Sequence, residues 1–179
     1  ERHPLSLGLM GMHGWKHVNR AIQAADLLIA VGMRFDDRVT GNVRTYAPYA
    51  RIVHVDIDPA EIGKNVAVEV PVVGDAKRVL HGLLPIVHEV PEAERAEYLD
   101  QLAEWRQESE AASWHGSGAW RDGHLSADYV IAQIGEATDH DATMVADVGQ
   151  NQMWMARYAG YRRPHSHLSS GGLGTMGYA

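Results

Sequence analysis

The chain has 179 residues, a formal net charge of −7, no cysteine and 18 glycines. Lacking cysteine, it has no disulfides, thiolate metal sites or cysteine nucleophiles. Its 23 acidic residues outweigh 16 basic ones, and its only lysines are Lys16, Lys64 and Lys77, which argues against a general nucleic-acid or membrane-surface binder. The length permits one ordinary domain or parts of two, with room for a real core. Phe35 is the only phenylalanine, so aliphatic residues are expected to make that core. No apolar run approaches the roughly 20 residues that cross a bilayer. The start, Glu-Arg-His-Pro, has neither the methionine nor the apolar stretch of a signal peptide, and is expected to be a cut from something longer.

Residues 1–14 are loop-like, with glycines at 8, 11 and 14. From Trp15 to Asp26, Val18, Ala21, Ile22 and Ala25 fall at helical spacing. Leu27 to Val31 is a short apolar run ending at Gly32, as in a parallel strand buried on both faces. Arg51 to Asp58 alternates and is closed by Pro59, so a second strand is expected there; Val70 to Val73, with Pro71 inside, is a weaker third. Asp75 is placed to cap a helix running through Leu84. Residues 92–115 are charged, with an apolar stripe at Ala96, Leu99, Leu102, Ala103 and Trp105; with Gly116-Ser117-Gly118 and Asp122-Gly123 behind them, residues 86–124 suggest a helical, partly flexible connector. The last third restarts with a helix over Ala127–Glu136 behind Ser126, a buried strand over Thr143–Ala146, and a helix over Asn151–Ala159. This alternation indicates an α/β layer fold.

Ligands of open parallel sheets sit outside the carboxyl ends of the strands. Glycine there lets backbone N–H groups approach a phosphate. The turn from Gly32 to Arg38 offers Arg34 and Arg38 as phosphate partners and Asp36 as a hydroxyl acceptor; the alternative is a surface turn whose arginines and aspartates pair with one another. Asp56, at a strand end, stands where a ribose-hydroxyl acceptor would. There is no strict GxGxxG after a strand. His13 and His17 lie four apart without the carboxylate of an H-E-x-x-H pattern, and His165 and His167 flank Ser166 in a polar loop; loop or surface histidines are expected rather than a metal site. Gly171 to Gly177 suits either a flexible tail or half of a backbone cradle.

Six segments taken together, LGLMGMHG (7–14), ADLLIAVGMRFDDRVTGN (25–42), HVDIDPAEIGKN (54–65), PVVGD (71–75), DVGQNQMWMA (147–156) and SSGGLGTMGYA (169–179), resemble the acetolactate synthase large subunit, a family of thiamine-diphosphate enzymes. The match runs in order over most of the chain and weakens around 88–124. The resemblance implies a fold class of α/β: the C-terminal part of a Rossmann-like, parallel-sheet central FAD-binding domain (1–85), a helical connector (86–124), and the start of a thiamine-diphosphate-binding α/β domain (125–179).

The same resemblance implies condensation of two 2-oxo acids, pyruvate with pyruvate or 2-oxobutyrate, with loss of CO2, in branched-chain amino-acid synthesis. It implies a cytoplasmic homo-oligomer, with a small regulatory subunit as a further partner, and thiamine diphosphate, FAD and Mg2+ as cofactors. It places FAD at Met12, His13, Gly32, Met33, Arg34, Asp36, Arg38, Val39, Asp56, Ile57, Gly74, Asp75, Gln152, Gly171 and Gly172. It places thiamine diphosphate at Val148, Gly149, Gln150, Asn151, Gly174 and Met176. Asn151 stands where many members have histidine, so it can hydrogen-bond but not become cationic. No catalytic residue and no metal ligand is expected in this chain, and carboligation by these 179 residues alone is not expected. Another thiamine-diphosphate carboligase or decarboxylase, such as glyoxylate carboligase, and a non-catalytic FAD-binding or interaction module are the alternatives.

Overall fold

The computed structural model describes residues 3–113 and 118–179. The Gly116-Ser117 part of the expected connector therefore lies outside the described residues. The chain forms two compact units, residues 19–103 and residues 1–18 with 104–179. These units cut across the chain-order division at 85 and 125, because Ser6 meets Arg106 and Trp15 packs with Arg157 and Tyr158.

The 19–103 unit is built on three parallel strands, β1 (Leu27–Val31), β2 (Arg51–Asp56) and β3 (Val70–Val73), in the order β1-β2-β3. β1 follows α1 (Lys16–Ala24), which begins in the other unit, and two short turns of helix, α2 (Asp37–Thr40) and a 3-10 turn (Val43–Thr45), connect it to β2. Pro71 is tolerated because β3 is an edge strand, where a missing donor costs no central ladder bond. α3 (Ala76–Leu83) follows, and the Asp75 carboxylate accepts from the Arg78 N–H at 3.0 Å, the expected cap. Ala30, Phe35, Tyr46, Ala47, Ile52 and Val66 form the core. The single phenylalanine is thus a core residue, edge-on to Tyr46 at 6.0 Å and to His54 at 5.0 Å. β1 departs from expectation: Leu27, Ile29 and Val31 are exposed on one face, since three strands with their connections cover only the other.

In the other unit, α4 (Glu92–Ala111) delivers its C-terminal half. Its buried side includes Ser109, whereas Ala96 and Ala103 of the expected stripe are exposed. Two features stand where a connector was expected to be irregular: β4 (Trp120–Arg121) and β5 (His124–Leu125), an antiparallel hairpin. Asp122 and Gly123, with φ of 51° and 79°, supply the two left-handed residues of a tight hairpin turn. α5 (Ala127–Ala137), β6 (Met144–Ala146), α6 (Gln150–Tyr158) and β7 (His167–Ser169) complete the unit, with β6 and β7 parallel. Ser126 precedes α5 but makes no side-chain cap; its hydroxyl is buried without a partner. Val145 of β6 is exposed, so this strand too is buried on one side only. Ala146, Met155 and Ala159 form the small core, and α5 meets α6 so closely that a Cβ on Gly135 would lie 2.2 Å from the Ala159 carbonyl oxygen. Among the described residues no helix is long and apolar enough to cross a membrane.

Candidate functional site

In the 19–103 unit the register Val31↔Val55 and Asp56↔Val73 brings the carboxyl ends of all three strands level. The ladder runs one residue further: Gly32 N–H donates to the Val55 carbonyl at 2.8 Å, and Gly74 N–H to that of Asp56 at 2.9 Å. The turns holding Gly32, Met33, Arg34, Asp36, Arg38 and Val39, then Asp56 and Ile57, then Gly74 and Asp75, therefore leave one edge of one sheet side by side. Gly32 has φ +63°, and nothing lies within 4 Å of where its Cβ would be, so glycine serves the bend and leaves the surface open.

Within that edge, Asp36 Oδ2 accepts from Arg34 at 2.9 Å while its Oδ1 is buried without a partner. Arg38 pairs with Asp37 at 2.9 Å. The arginines and aspartates do pair with one another, but Arg34 and Arg38 are both well exposed, and such pairs contribute little, so both remain available to an anion. Asn65 donates to the Arg34 carbonyl at 3.1 Å and pins the turn from the loop after β2; its position 31 residues downstream hid this role from the sequence. Asp56 Oδ1 accepts from Asp58 N–H at 2.9 Å, and its Oδ2 lies 4.0 Å from Nε2 of the fully buried His54. The Asp75 carboxylate is committed to its cap.

The other unit carries the remaining expected positions. Met12 and His13 occupy an exposed turn closed by Gly14 N–H to Gly11 O at 3.0 Å. His13 is thus off the helix that carries His17, and His17 is buried rather than a surface residue. Val148, Gly149, Gln150 and Asn151 form the entry to α6, whose first amides have no side-chain cap. Gly149 has φ +152°, and a Cβ there would come 2.9 Å from Asn151 Oδ1. Gln152 and Gly171 are neighbours: a Cβ at 171 would stand 3.7 Å from Gln152 Nε2. Gly171, Gly172, Gly174 and Met176 belong to an exposed loop after β7, and Met176, 79% exposed, is no core methionine.

Asp147 organises that loop and was not foreseen. Its carboxylate accepts from Gly177 N–H at 2.8 Å, from Val148 N–H at 2.8 Å and from Tyr178 N–H at 3.3 Å. The bonds from Gly177, Val148 and Tyr178 hold the carboxyl below the usual aspartate range. Its sequence signal was a carboxylate directly after a strand.

Residues 1–83 match the family model of the thiamine pyrophosphate enzyme central domain, and residues 147–179 that of the C-terminal TPP binding domain. The chain belongs to the thiamine pyrophosphate enzymes. Within this family it is similar to the acetolactate synthase large subunit of Mycobacterium tuberculosis, 47% identical over 182 residues that take in 100% of this chain and 29% of that protein. A Corynebacterium glutamicum acetolactate synthase large subunit is 47% identical over 182 residues, 100% of this chain and 28% of its own length. A probable acetolactate synthase large subunit of Methanocaldococcus jannaschii is 44% identical over 180 residues, 99% of this chain and 30% of its own. The chain thus spans under a third of the length of these relatives. The C-terminal match begins at Asp147, so a thiamine-pyrophosphate-binding segment opens with the carboxylate that ties the 174–178 loop.

Proposed function

We propose that this chain is part of an acetolactate synthase, a transferase that condenses two pyruvates, or pyruvate with 2-oxobutyrate, with loss of CO2, to give 2-acetolactate or 2-aceto-2-hydroxybutyrate for branched-chain amino-acid synthesis. Thiamine diphosphate, when bound, supplies the electron sink for decarboxylation. The observation that carries the reading is the α6 entry together with its tethered loop. Gly149 adopts a backbone conformation that side chains rarely take, and the first amides of α6 are uncapped. That arrangement fits an anionic group such as a diphosphate. Val148, Gly149, Gln150 and Asn151 would hold it, with Gly174 and Met176 held alongside by Asp147. Met176 would give an apolar surface for the ring portion, and Asn151 would contribute a neutral hydrogen bond.

FAD fits the strand-end turns. The orphaned Asp36 Oδ1 is the acceptor that a hydroxyl would satisfy, and the open turn at Gly32, flanked by the exposed guanidiniums of Arg34 and Arg38, suits a pyrophosphate. Asp56 would take a ribose hydroxyl, with Met33, Val39, Ile57 and Asp75 lining the turns. Met12, His13, Gln152, Gly171 and Gly172 would serve the flavin as well. Mg2+ would be held by residues other than these. The proposed domain division is residues 1–85, 86–124 and 125–179. A homo-oligomeric, cytoplasmic enzyme with a small regulatory subunit completes the proposal.

The test is the full-length protein incubated with pyruvate, thiamine diphosphate, Mg2+ and FAD. Formation of acetolactate is expected. Turnover of glyoxylate in place of pyruvate would identify a different carboligase, and bound flavin without turnover of either would identify a binding module.

A further inference from the structure

The 1–18 and 104–179 unit contains a cavity of about 140 Å3 beside Trp15, His17, Arg106, Glu110 and Arg157. None of these residues is among those assigned to either cofactor. A water molecule's share of liquid volume is about 30 Å3, so the space admits a ligand of several heavy atoms.

Its polar groups are unequally satisfied. His17 is 2% exposed, and its Nε2 donates to the Leu7 carbonyl at 3.0 Å. A carbonyl only accepts, so Nε2 carries the proton and Nδ1 presents a lone pair; that Nδ1 is buried with no partner. Burial is the leading cause that lowers the His17 pKa, with Arg106 and Arg157 also lowering it against the Leu7 bond and Glu110, so the ring is kept neutral. Arg157 lies over the Trp15 ring at 4.0 Å, and its Nε is buried without an acceptor. Arg106 donates to Glu110 at 3.2 Å and to the Ser6 carbonyl at 3.3 Å. The residues lining the cavity thus bring two guanidiniums against one carboxylate, and among their buried atoms His17 keeps one unmet acceptor and Arg157 one unmet donor. Unmet buried groups of this kind are costly. A simple anion would satisfy Arg157 and leave Nδ1 facing a lone pair, whereas a neutral hydroxyl would leave the excess positive charge unanswered.

We propose that this cavity binds a small oxyanion carrying a hydroxyl of its own, either hydrogen phosphate or a short 2-hydroxy carboxylate: the oxygens accept from Arg157 and Arg106, and the hydroxyl donates to His17 Nδ1. The test is calorimetric titration of the full-length protein, wild type and R157M, with inorganic phosphate, lactate and sulfate near neutral pH. Saturable binding of phosphate or lactate is expected, and whichever binds names the source. That affinity falls about tenfold or more in R157M, the size expected for a lost charge-assisted hydrogen bond. Sulfate, which has no proton to give, binds more weakly than the ligand that saturates the site. Equal affinity in wild type and R157M, equal affinity for sulfate, or no saturable binding would each overturn the proposal. Should R157M fail to fold, W15F keeps both guanidiniums and the histidine while removing the indole: the site requires that an anion-induced change in tryptophan fluorescence be lost in W15F, and its persistence there would count against the site.

Discussion

The two units hold their glycine-rich turns by different means. In the 19–103 unit the turns grow directly out of a parallel ladder. Each is set by the strand beside it, through the bonds from Gly32 N–H to Val55 O and from Gly74 N–H to Asp56 O, over a core centred on Phe35. In the other unit the β6–β7 pair is three residues long, and the loop that follows is tied back by the carboxylate of Asp147 across 30 residues of chain. A platform fixed by strand register is insensitive to any one side chain at its surface. A loop fixed by one carboxylate is sensitive to that group and to its charge.

The comparison is broken most severely by attacking each unit's packing. G135A places a Cβ 2.2 Å from the Ala159 carbonyl, a backbone atom, and is expected to destabilise the α5–α6 pairing by about 3 kcal/mol. Hydrogen exchange should show protection lost in α5 and α6 while β1 to β3 keep theirs. V55A empties space around a side chain that is 1% exposed, costs about 2 kcal/mol, and should reverse that pattern, loosening β1 to β3 and sparing α5 and α6.

Asp147 sharpens the comparison through pH. Its carboxyl lies below the ordinary aspartate value in the folded chain, so its contribution is complete above that ordinary value and is lost as pH falls through the depressed one. The Gly177 and Tyr178 amides should therefore lose protection only in acid. In D147N, which has no carboxyl to titrate, they should exchange quickly at neutral pH and show no such acid step. The smallest effect belongs to Arg51–Glu69. The pair is joined at 2.6 Å and shifts both side chains' titration, yet it is exposed, and E69Q should leave the melting temperature unchanged.

The strand-end platform was legible in sequence because three apolar segments end at glycine or aspartate, and a parallel sheet places such ends together. β7 and the hairpin were not legible, being strands of three and two residues, too short for alternation to register. The Asp122-Gly123 pair carries the hairpin signal, but no alternating strand flanks it in the sequence. The exposed faces of β1 and β6 are not legible, because an apolar run reports a capacity for burial and not the presence of a covering layer. The burial of His17 is hidden for the converse reason: one polar residue on an amphipathic helix resembles a surface residue, and its carbonyl partner, Leu7, lies ten residues away. The pin from Asn65 and the tether from Asp147 are long-range hydrogen bonds, which no local pattern encodes.

The most direct test of the central proposal, that the strand ends of the 19–103 unit bind FAD, is the equilibrium affinity of the full-length protein for FAD, measured by flavin fluorescence in wild type and D36A. Losing the acceptor at Asp36 should weaken FAD about tenfold or more while secondary structure is retained. Equal affinity in the two proteins would contradict the assignment.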